Sequence, residues 1–176
     1  MGTAYTVVRN FAKNKFKLLG AGYYAAVFES SVDPNLVYKI GRTIHDPFIT
    51  YATSTEYSNN IHFPKIYDIY FDIEDDWYIA KMEALTPLPE HKYPLAKTIE
   101  KFAKGETEGS ELSCDLRQLL SGVSKLSEAC EFAIDLHRNN IMTRGTTIVV
   151  TDPLAGYDLF TESDMQTWIE GKDYGK

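Results

Sequence analysis

The segment FKLLGAGYYAAVFESSVDPNLVYKI, residues 16–40, contains three short apolar runs separated by two turn signals. The first turn signal is Gly20-Ala21-Gly22, and the second is Asp33-Pro34-Asn35. Apolar runs bounded by glycine, proline and asparagine are typical of β-strands joined by tight turns. The segment therefore predicts an antiparallel meander of three strands.

One short helix and two further strands are expected after this meander. Residues 47–60 are weakly patterned and are expected to hold the helix. Residues 65–73 and 77–82 alternate apolar and polar side chains, which is the period of half-buried strands. The acidic residues between them, Glu74-Asp75-Asp76, are interpreted as a solvated hairpin turn.

The remainder of the sequence has the spacing of helices. Pro94 opens a helical segment, and a longer helical pattern runs over residues 116–133, with a kink expected at Gly122. A hairpin is expected around Gly145 and a short helix at residues 163–169. Strands followed by helices predict an α+β fold with a cleft between its two parts.

The length of 176 residues predicts a single domain that needs no metal or disulfide to hold its core. Its N-terminal lobe is expected at about 1–83, a hinge at about 83–88 and a reduced C-terminal lobe at about 89–176. The hydrophobic fraction of 44% and the charged fraction of 24% exclude an intrinsically disordered chain.

Cysteine use and hydropathy indicate a cytoplasmic protein. Cys114 and Cys130 lack the spacing of a zinc site, and free thiols are expected in a reducing cytoplasm. No apolar run approaches the length of a membrane span, and the N-terminus lacks the apolar core of a signal peptide. No membrane partner is expected.

Charge is divided unevenly along the chain. Residues 1–50 carry six Lys/Arg against three Asp/Glu, whereas residues 51–176 carry twelve against twenty-two. This division fits an anionic ligand near the N-terminal part and argues against a nucleic-acid partner, which needs a basic surface. The alternative is that the N-terminal lysines serve only solubility.

A glycine motif of the form G-x-G-x-x-A-x-V joins the first two strands. Glycines in such a turn let backbone N–H groups approach a phosphate chain, and they permit positive φ angles. An ordinary glycine hairpin is the alternative. The candidate phosphate-binding residues are Gly20, Ala21, Gly22, Tyr23, Tyr24, Ala25 and Val27.

Lys39 lies between apolar neighbours in the third strand. An ammonium in such a place needs an anionic partner or a route to water, so a phosphate or a carboxylate is expected beside it. Glu56, in the short helix expected at 47–60, is the candidate carboxylate. The alternative for Glu56 is an exposed helix residue with no such role.

The sequence DLHRNN, residues 135–140, precedes a short apolar hairpin and then Asp152-Pro153. Asn140 and Asp152 offer the hard oxygen ligands that Mg²⁺ prefers, and Asp135 can accept a hydrogen bond from an attacking hydroxyl. This set suits magnesium-dependent phosphoryl transfer. The alternative is a helix end followed by an Asp-Pro turn. It explains each of these residues singly but not why all three occur in this order.

In this order the motifs resemble the protein-kinase-like superfamily, over about residues 16–153. The resemblance implies a minimal two-lobed kinase fold, ATP and Mg²⁺ as cofactors, Lys39 and Glu56 as the catalytic ion pair, Asp135 as the catalytic aspartate, and Asn140 and Asp152 as metal ligands. It also implies that Met82, Glu83 and Leu85, in the gatekeeper and hinge string, contact the nucleotide.

Some positions depart from the family pattern. Ala133 and Ile134 stand where typical protein kinases have His and Arg, and Pro153 follows the metal-binding aspartate. Regulation through an activation loop is therefore not expected. His137 replaces a lysine, as in small-molecule kinases of the aminoglycoside type, and is expected to organise the loop or contact a phosphate.

Several strings, among them FKLLGAG at 16–22 and PKIYD at 64–68, look like the early serine/threonine protein kinases of short-tailed bacteriophages. That resemblance implies a host-takeover enzyme in the bacterial cytoplasm that phosphorylates transcription and translation proteins.

Two other functions remain open at this point. A kinase fold could work by docking its acidic part onto a basic host protein, or it could phosphorylate a small molecule, as His137 favours. Few residues follow Asp152, so the substrate platform of a larger kinase is not expected, and pairing with a second copy of the chain is also considered.

Overall fold

A computed structural model of the chain describes residues 4–14, 16–22, 24–42 and 46–156. These residues form two compact units. The described part of the first unit ends at Asp46 and resumes over Ile66–Ala84, and the second unit contains Pro47–Lys65 and the described residues from Leu85 onward. The expected helix at 163–169 lies outside the described residues.

The first unit is an antiparallel sheet with one helix. The helix is α1 (Ala4–Lys13), and the strands are β1 (Leu18–Ala21), β2 (Ala25–Glu29), β3 (Leu36–Gly41), β4 (Ile66–Asp72) and β5 (Trp77–Glu83). Neighbouring strands follow the order β1-β2-β3-β5-β4, and every pair is antiparallel. The expected meander and the hairpin with the acidic turn are both confirmed.

Helix α1 was not expected from the sequence. Val8 is fully buried and belongs to one cluster with Ala26, Phe28 and Ile40 of the sheet. The ring of Phe11 lies 5.6 Å from that of Phe28, centroid to centroid. Burial of these side chains supplies most of what holds so short a helix in place, since isolated helices of this length are marginal in water.

The second unit contains three helices and two small sheets among its described residues. The helices are α2 (Pro47–Ala52), α3 (Tyr93–Ala103) and α4 (Cys114–Cys130), and the strands are β6 (Thr86–Pro87), β7 (Ala133–Ile134), β8 (Ile141–Arg144), β9 (Thr147–Val150) and β10 (Leu154–Ala155). Strands β6, β8 and β9 form one sheet, and β7 and β10 form the other. Together with the first unit, these elements confirm the α+β class.

The longest helix is shorter than its pattern suggested. The Ser113 hydroxyl accepts a hydrogen bond from the Leu116 amide and so caps the start of α4. At the other end, Glu131 takes a left-handed conformation with φ of 55° and ends the helix. Ala133, which was expected on the helix, lies in β7 instead. A residue in that conformation redirects the chain, whatever the apolar spacing beyond it.

Gly122 is needed for packing, because a Cβ at this position would overlap the Tyr57 ring. This close approach explains the glycine where the sequence suggested a kink. It also ties the segment around Tyr57 to helix α4. Pro47–Lys65 group with the second unit, whereas the sequence pattern predicts an N-terminal lobe at about 1–83.

Further bonds attach the same segment to the second unit. The Asn60 side chain donates to the Asp115 carbonyl at 2.8 Å. The buried His62 ring donates from Nδ1 to the Ile148 carbonyl at 2.7 Å. Short-range sequence patterns do not predict these contacts, because the contacts join residues that are far apart in the chain.

Two remaining expectations concern cysteine and hydropathy. Cys114 and Cys130 are exposed and are not in a disulfide. Across the ranges that the structure describes, no helix combines the length and the apolar character needed to cross a membrane.

Candidate active site

The loop between β7 and β8 is built around the Asn140 side chain. Its Nδ2 donates to the Asp135 carbonyl at 2.7 Å and to the Asp135 carboxylate at 3.2 Å. The Asn140 amide also donates to the His137 carbonyl at 2.9 Å, which closes a tight turn. These bonds fix the carboxylate of Asp135 relative to the amide oxygen of Asn140.

Asp152 is held beside this loop by its two sequence neighbours. Thr151 donates its amide and its hydroxyl to the Asn140 carbonyl, at 2.9 and 3.0 Å. The Pro153 carbonyl accepts the Asp135 amide at 2.8 Å. The residues before and after Asp152 are thus bonded to Asn140 and Asp135 respectively, so the structure brings the three predicted residues together.

Short strands stabilise this arrangement. Ile134 pairs with Leu154 and Ala133 with Ala155, so β7 and β10 flank the aspartates on one side. On the other side, Ile141 pairs with Val150 in the β8–β9 hairpin. Asp135 directly follows β7, and Asp152 lies between β9 and β10, one residue away from each. The backbone of each aspartate therefore has little freedom.

Tyr51 is a residue of this region that the sequence did not reveal. Its side chain is fully buried and its hydroxyl donates to the Val150 carbonyl at 2.9 Å, two positions before Asp152. Burial raises the pKa of Tyr51 well above its usual value of 10.0, and the negative charge of Asp152 and the neighbouring Tyr57 raise it further. Tyr51 is therefore a neutral hydrogen-bond donor that supports the segment before Asp152.

His137 lies in the same loop and is half exposed. The Asn139 amide donates to Nδ1 at 3.2 Å, so a neutral ring carries its proton on Nε2. Nε2 lies 3.6 Å from a carboxylate oxygen of Asp135. The loop-organising role expected for His137 fits these contacts, and a catalytic role stays a prediction.

The oxygen atoms of this site fit Mg²⁺ better than a transition metal. Asn140 directs its nitrogen to Asp135, which leaves its amide oxygen for another partner. Within the described residues, no three His, Cys, Asp or Glu side chains gather into a metal site. Mg²⁺ commonly takes only one or two protein oxygens and completes its shell with water and phosphate oxygens, so Asn140 and Asp152 would suffice.

The glycine turn of the first unit is open. A Cβ at Gly20 would meet no atom within 4 Å, and one at Gly22 would only reach the Ala25 carbonyl oxygen at 4.0 Å. Neither glycine has a positive φ, so the turn does not use the left-handed conformation that glycine permits, and the two positions leave free space instead. Tyr23 lies outside the described residues. Ala21, Ala25 and Val27 lie on β1 and β2, with Tyr24 before β2.

Lys39 is buried on β3 with 6% of its surface exposed, and its Nζ lies 3.7 Å from the buried carboxylate of Asp46. The Tyr78 hydroxyl donates to the same carboxylate. The ring of Tyr78 covers Gly41, where any Cβ would overlap it. The carboxylate beside Lys39 therefore comes from the segment directly after β3.

The predicted pairing of Lys39 with Glu56 stays a prediction, since the two residues belong to different units. Glu56 is exposed in a short 3-10 turn, Thr55–Tyr57, and not in helix α2. Its carboxylate accepts a hydrogen bond from the Tyr57 hydroxyl at 3.0 Å. Sequence spacing missed Asp46 because it lies outside any predicted helix.

The predicted hinge residues are divided between the units. Met82 and Glu83 are buried at the end of β5, and Leu85 begins the second stretch of the second unit. The Ala84 amide donates to the Asn35 carbonyl at 2.7 Å, which fixes the end of the strand. Nucleotide contacts by Met82, Glu83 and Leu85 stay a prediction.

Comparison with known proteins finds similar chains among solved structures only. No protein-family model and no curated protein matches the chain. Among solved structures, the chain is similar to the kinase PK-1 of Cydia pomonella granulovirus, with 12% sequence identity and a TM-score of 0.41. The match covers 87% of this chain and 57% of the viral kinase, so this chain spans little more than half the length of that protein.

Proposed function

We propose that this chain is a phosphotransferase with a small kinase-like fold that uses ATP and Mg²⁺. One observation supports this proposal most strongly: the two neighbours of Asp152 are hydrogen-bonded to the loop, Thr151 to Asn140 and Pro153 to Asp135. The alternative, a helix end and an Asp-Pro turn with no common role, does not predict these bonds. Magnesium-dependent phosphoryl transfer requires such a set of two metal ligands and one acceptor-orienting carboxylate.

In this proposal each loop residue has one task. Asn140 and Asp152 would hold Mg²⁺, which neutralises phosphate charge when it is bound. Asp135, whose side chain is 42% exposed, would accept a hydrogen bond from the attacking hydroxyl and orient it toward the phosphate. Tyr51 would keep the strand before Asp152 in place. Most of the rate gain would come from positioning and charge neutralisation.

The first unit would supply the phosphate-binding groups. Its open glycine turn leaves room for phosphate oxygens near backbone N–H groups. Lys39 would contact the phosphates, and Asp46 would hold the lysine side chain in position. Glu56 is not needed for this task.

The finer features of the function come from the sequence resemblance. They are a serine or threonine acceptor, host bacterial transcription and translation proteins as substrates, and a bacteriophage origin. Met82, Glu83 and Leu85 would contact the nucleotide. These features are part of the proposal, and the first experiments should test them.

Transfer of labelled phosphate from ATP tests the proposal. The purified chain is incubated with Mg²⁺, γ-labelled ATP and a bacterial lysate, and the acid-stable label on serine and threonine is measured. Asp135→Asn should reduce transfer by about 100-fold or more. The matched control is Asp115→Asn, since Asp115 is exposed in the first turn of α4 in the same unit, and it should keep wild-type transfer.

Two results would overturn the proposal. The first is that the wild-type chain and Asp135→Asn transfer equally little phosphate over a range of protein acceptors and hydroxylated small molecules. The second is that transfer persists undiminished when EDTA removes divalent cations. The first result would favour a kinase fold that acts by binding alone, and the second would favour phosphate transfer without a divalent cation.

A further inference from the structure

An exposed arginine lies inside the loop that carries Asp135 and Asn140. The guanidinium carbon of Arg138 lies 5.1 Å from the centroid of the Tyr93 ring. Tyr93 is half-buried at the start of α3. Stacking on an aromatic face restrains the guanidinium group but leaves the N–H groups at its edge able to donate.

Both neighbours of Arg138 are fixed by hydrogen bonds. The His137 carbonyl accepts the Asn140 amide at 2.9 Å, and the His137 ring accepts the Asn139 amide at 3.2 Å. The position of Arg138 is therefore set by the same turn that orients Asn140. An arginine on a mobile surface loop would lack this restraint.

Arg138 differs from Lys104 and Arg144 of the second unit in what it contacts. Lys104 lies 2.6 Å from Glu100, and that hydrogen bond raises the pKa of Lys104. Arg144 donates to the carbonyls of Ile61 and Phe63. Among the described residues, no carboxylate lies within salt-bridge distance of Arg138. Its guanidinium group is stacked in place without a counter-ion.

We propose that Arg138, stacked on Tyr93, binds an acidic side chain of the acceptor, so that the enzyme favours hydroxyls flanked by glutamate or aspartate. This inference rests on the proposed function, because it places Arg138 three positions after the residue that orients the acceptor hydroxyl. A guanidinium group can hold a carboxylate through two parallel N–H···O bonds. The substrate class is therefore an acidic peptide segment of a protein.

A pair of matched peptides tests this subsite. Both contain one serine, flanked by glutamates in one peptide and by glutamines in the other. For the wild-type chain, kcat/KM should be about tenfold higher for the glutamate peptide, the ratio expected of one charge-assisted pair. Arg138→Gln should bring this ratio close to 1, and Tyr93→Leu should reduce it partially.

Arg117→Gln is the matched control, since Arg117 lies on α4 in the same unit, and it should keep the tenfold ratio. An unchanged ratio in Arg138→Gln would overturn the proposal. It would also be overturned if Arg138→Gln raised KM for ATP while the peptide ratio stayed the same, because the arginine would then bind nucleotide phosphate. Circular dichroism shows whether each variant is folded.

Direct binding separates this inference from the proposed function. Fluorescence anisotropy of the labelled peptides is measured with the Asp135→Asn chain and a non-hydrolysable ATP analogue, so no turnover is needed. The glutamate peptide should bind about tenfold more tightly than the glutamine peptide, and adding Arg138→Gln should abolish the difference. Equal binding of the two peptides would overturn the subsite even if phosphate transfer is observed.

Discussion

The loop site of the second unit and the lysine site of the first unit differ in where the partners of their charged side chains come from. Asp135, Asn140 and Asp152 lie within one short stretch of chain and are joined by backbone bonds of neighbouring strands. Lys39 instead meets Asp46, which is held by Tyr78 from another strand. Where hydrogen bonds join residues that are close in sequence, the motif predicts their arrangement. The partner of a buried charge depends instead on tertiary packing, which the motif does not describe.

The lysine site gives the largest expected effect. Asp46→Asn removes the carboxylate that lies beside the buried Lys39, and removing one partner of a buried ion pair costs about 3–5 kcal/mol of unfolding free energy. Glu29→Gln removes the exposed pair with Lys17 and should cost less than about 1 kcal/mol. Urea unfolding measures both variants. Equal losses would show that Lys39 does not depend on Asp46.

Gly122 tests whether the segment around Tyr57 is tied to helix α4. A methyl group at this position overlaps the Tyr57 ring, so Gly122→Ala should cost about 1–3 kcal/mol of unfolding free energy. Gly20→Ala places its methyl group in open space and should avoid this overlap. The double variant Gly122→Ala with Tyr57→Leu should recover part of the loss, and a purely additive double variant would contradict the contact.

Tyr51 tests the support beneath the loop site. Tyr51→Phe removes the hydroxyl that donates to the Val150 carbonyl, and losing one such buried hydrogen bond should cost about 1 kcal/mol. Tyr67 is exposed, so Tyr67→Phe should change the unfolding free energy by less than about 0.5 kcal/mol. Denaturant midpoints of the two variants make the comparison. Equal midpoints would mean that the Tyr51 hydroxyl contributes no stability.

The smallest effect concerns alkaline pH. The folded chain holds the Tyr51 proton more tightly than the unfolded chain does, because burial raises the pKa of Tyr51 above 10.0. The folded state then binds more protons above pH 10, so stability should fall as pH rises beyond that value and should not depend on this group below it. Tyr51→Phe should show a shallower fall when unfolding free energy is followed from pH 8 to 11. If the curves of unfolding free energy against pH were parallel for the wild type and Tyr51→Phe, the raised pKa of Tyr51 would be contradicted.

Sequence reasoning succeeded where the deciding contacts are local. The meander, the acidic hairpin turn and the loop from Asp135 to Asn140 each follow from turn residues and apolar spacing over a few positions. The sequence of helix α1 alone does not predict the helix, because the side chains that stabilise it, Phe28 and Ile40, lie on later strands. This helix is stabilised by the burial of its apolar side chains and not by the intrinsic helix propensity of its residues.

The same reasoning is incomplete where long-range contacts decide. The bonds from Asn60 and His62 attach residues 47–65 to the second unit, and no local pattern predicts them. Glu56 is the candidate partner of Lys39 because it lies in the only helix expected between the strands. The structure shows that Asp46 is buried beside the lysine, and no periodic pattern in the sequence marks that position.

Metal binding in the presence of nucleotide tests the central claim most directly, because it requires the oxygen atoms of Asn140 and Asp152 and no acceptor at all. Electron paramagnetic resonance of Mn²⁺, used in place of Mg²⁺, measures this binding with a non-hydrolysable ATP analogue. We expect the wild-type chain and Asp115→Asn to bind Mn²⁺ with nucleotide, and Asp152→Asn to bind it at least about tenfold more weakly. Equal binding by Asp152→Asn and wild type would contradict the proposed site.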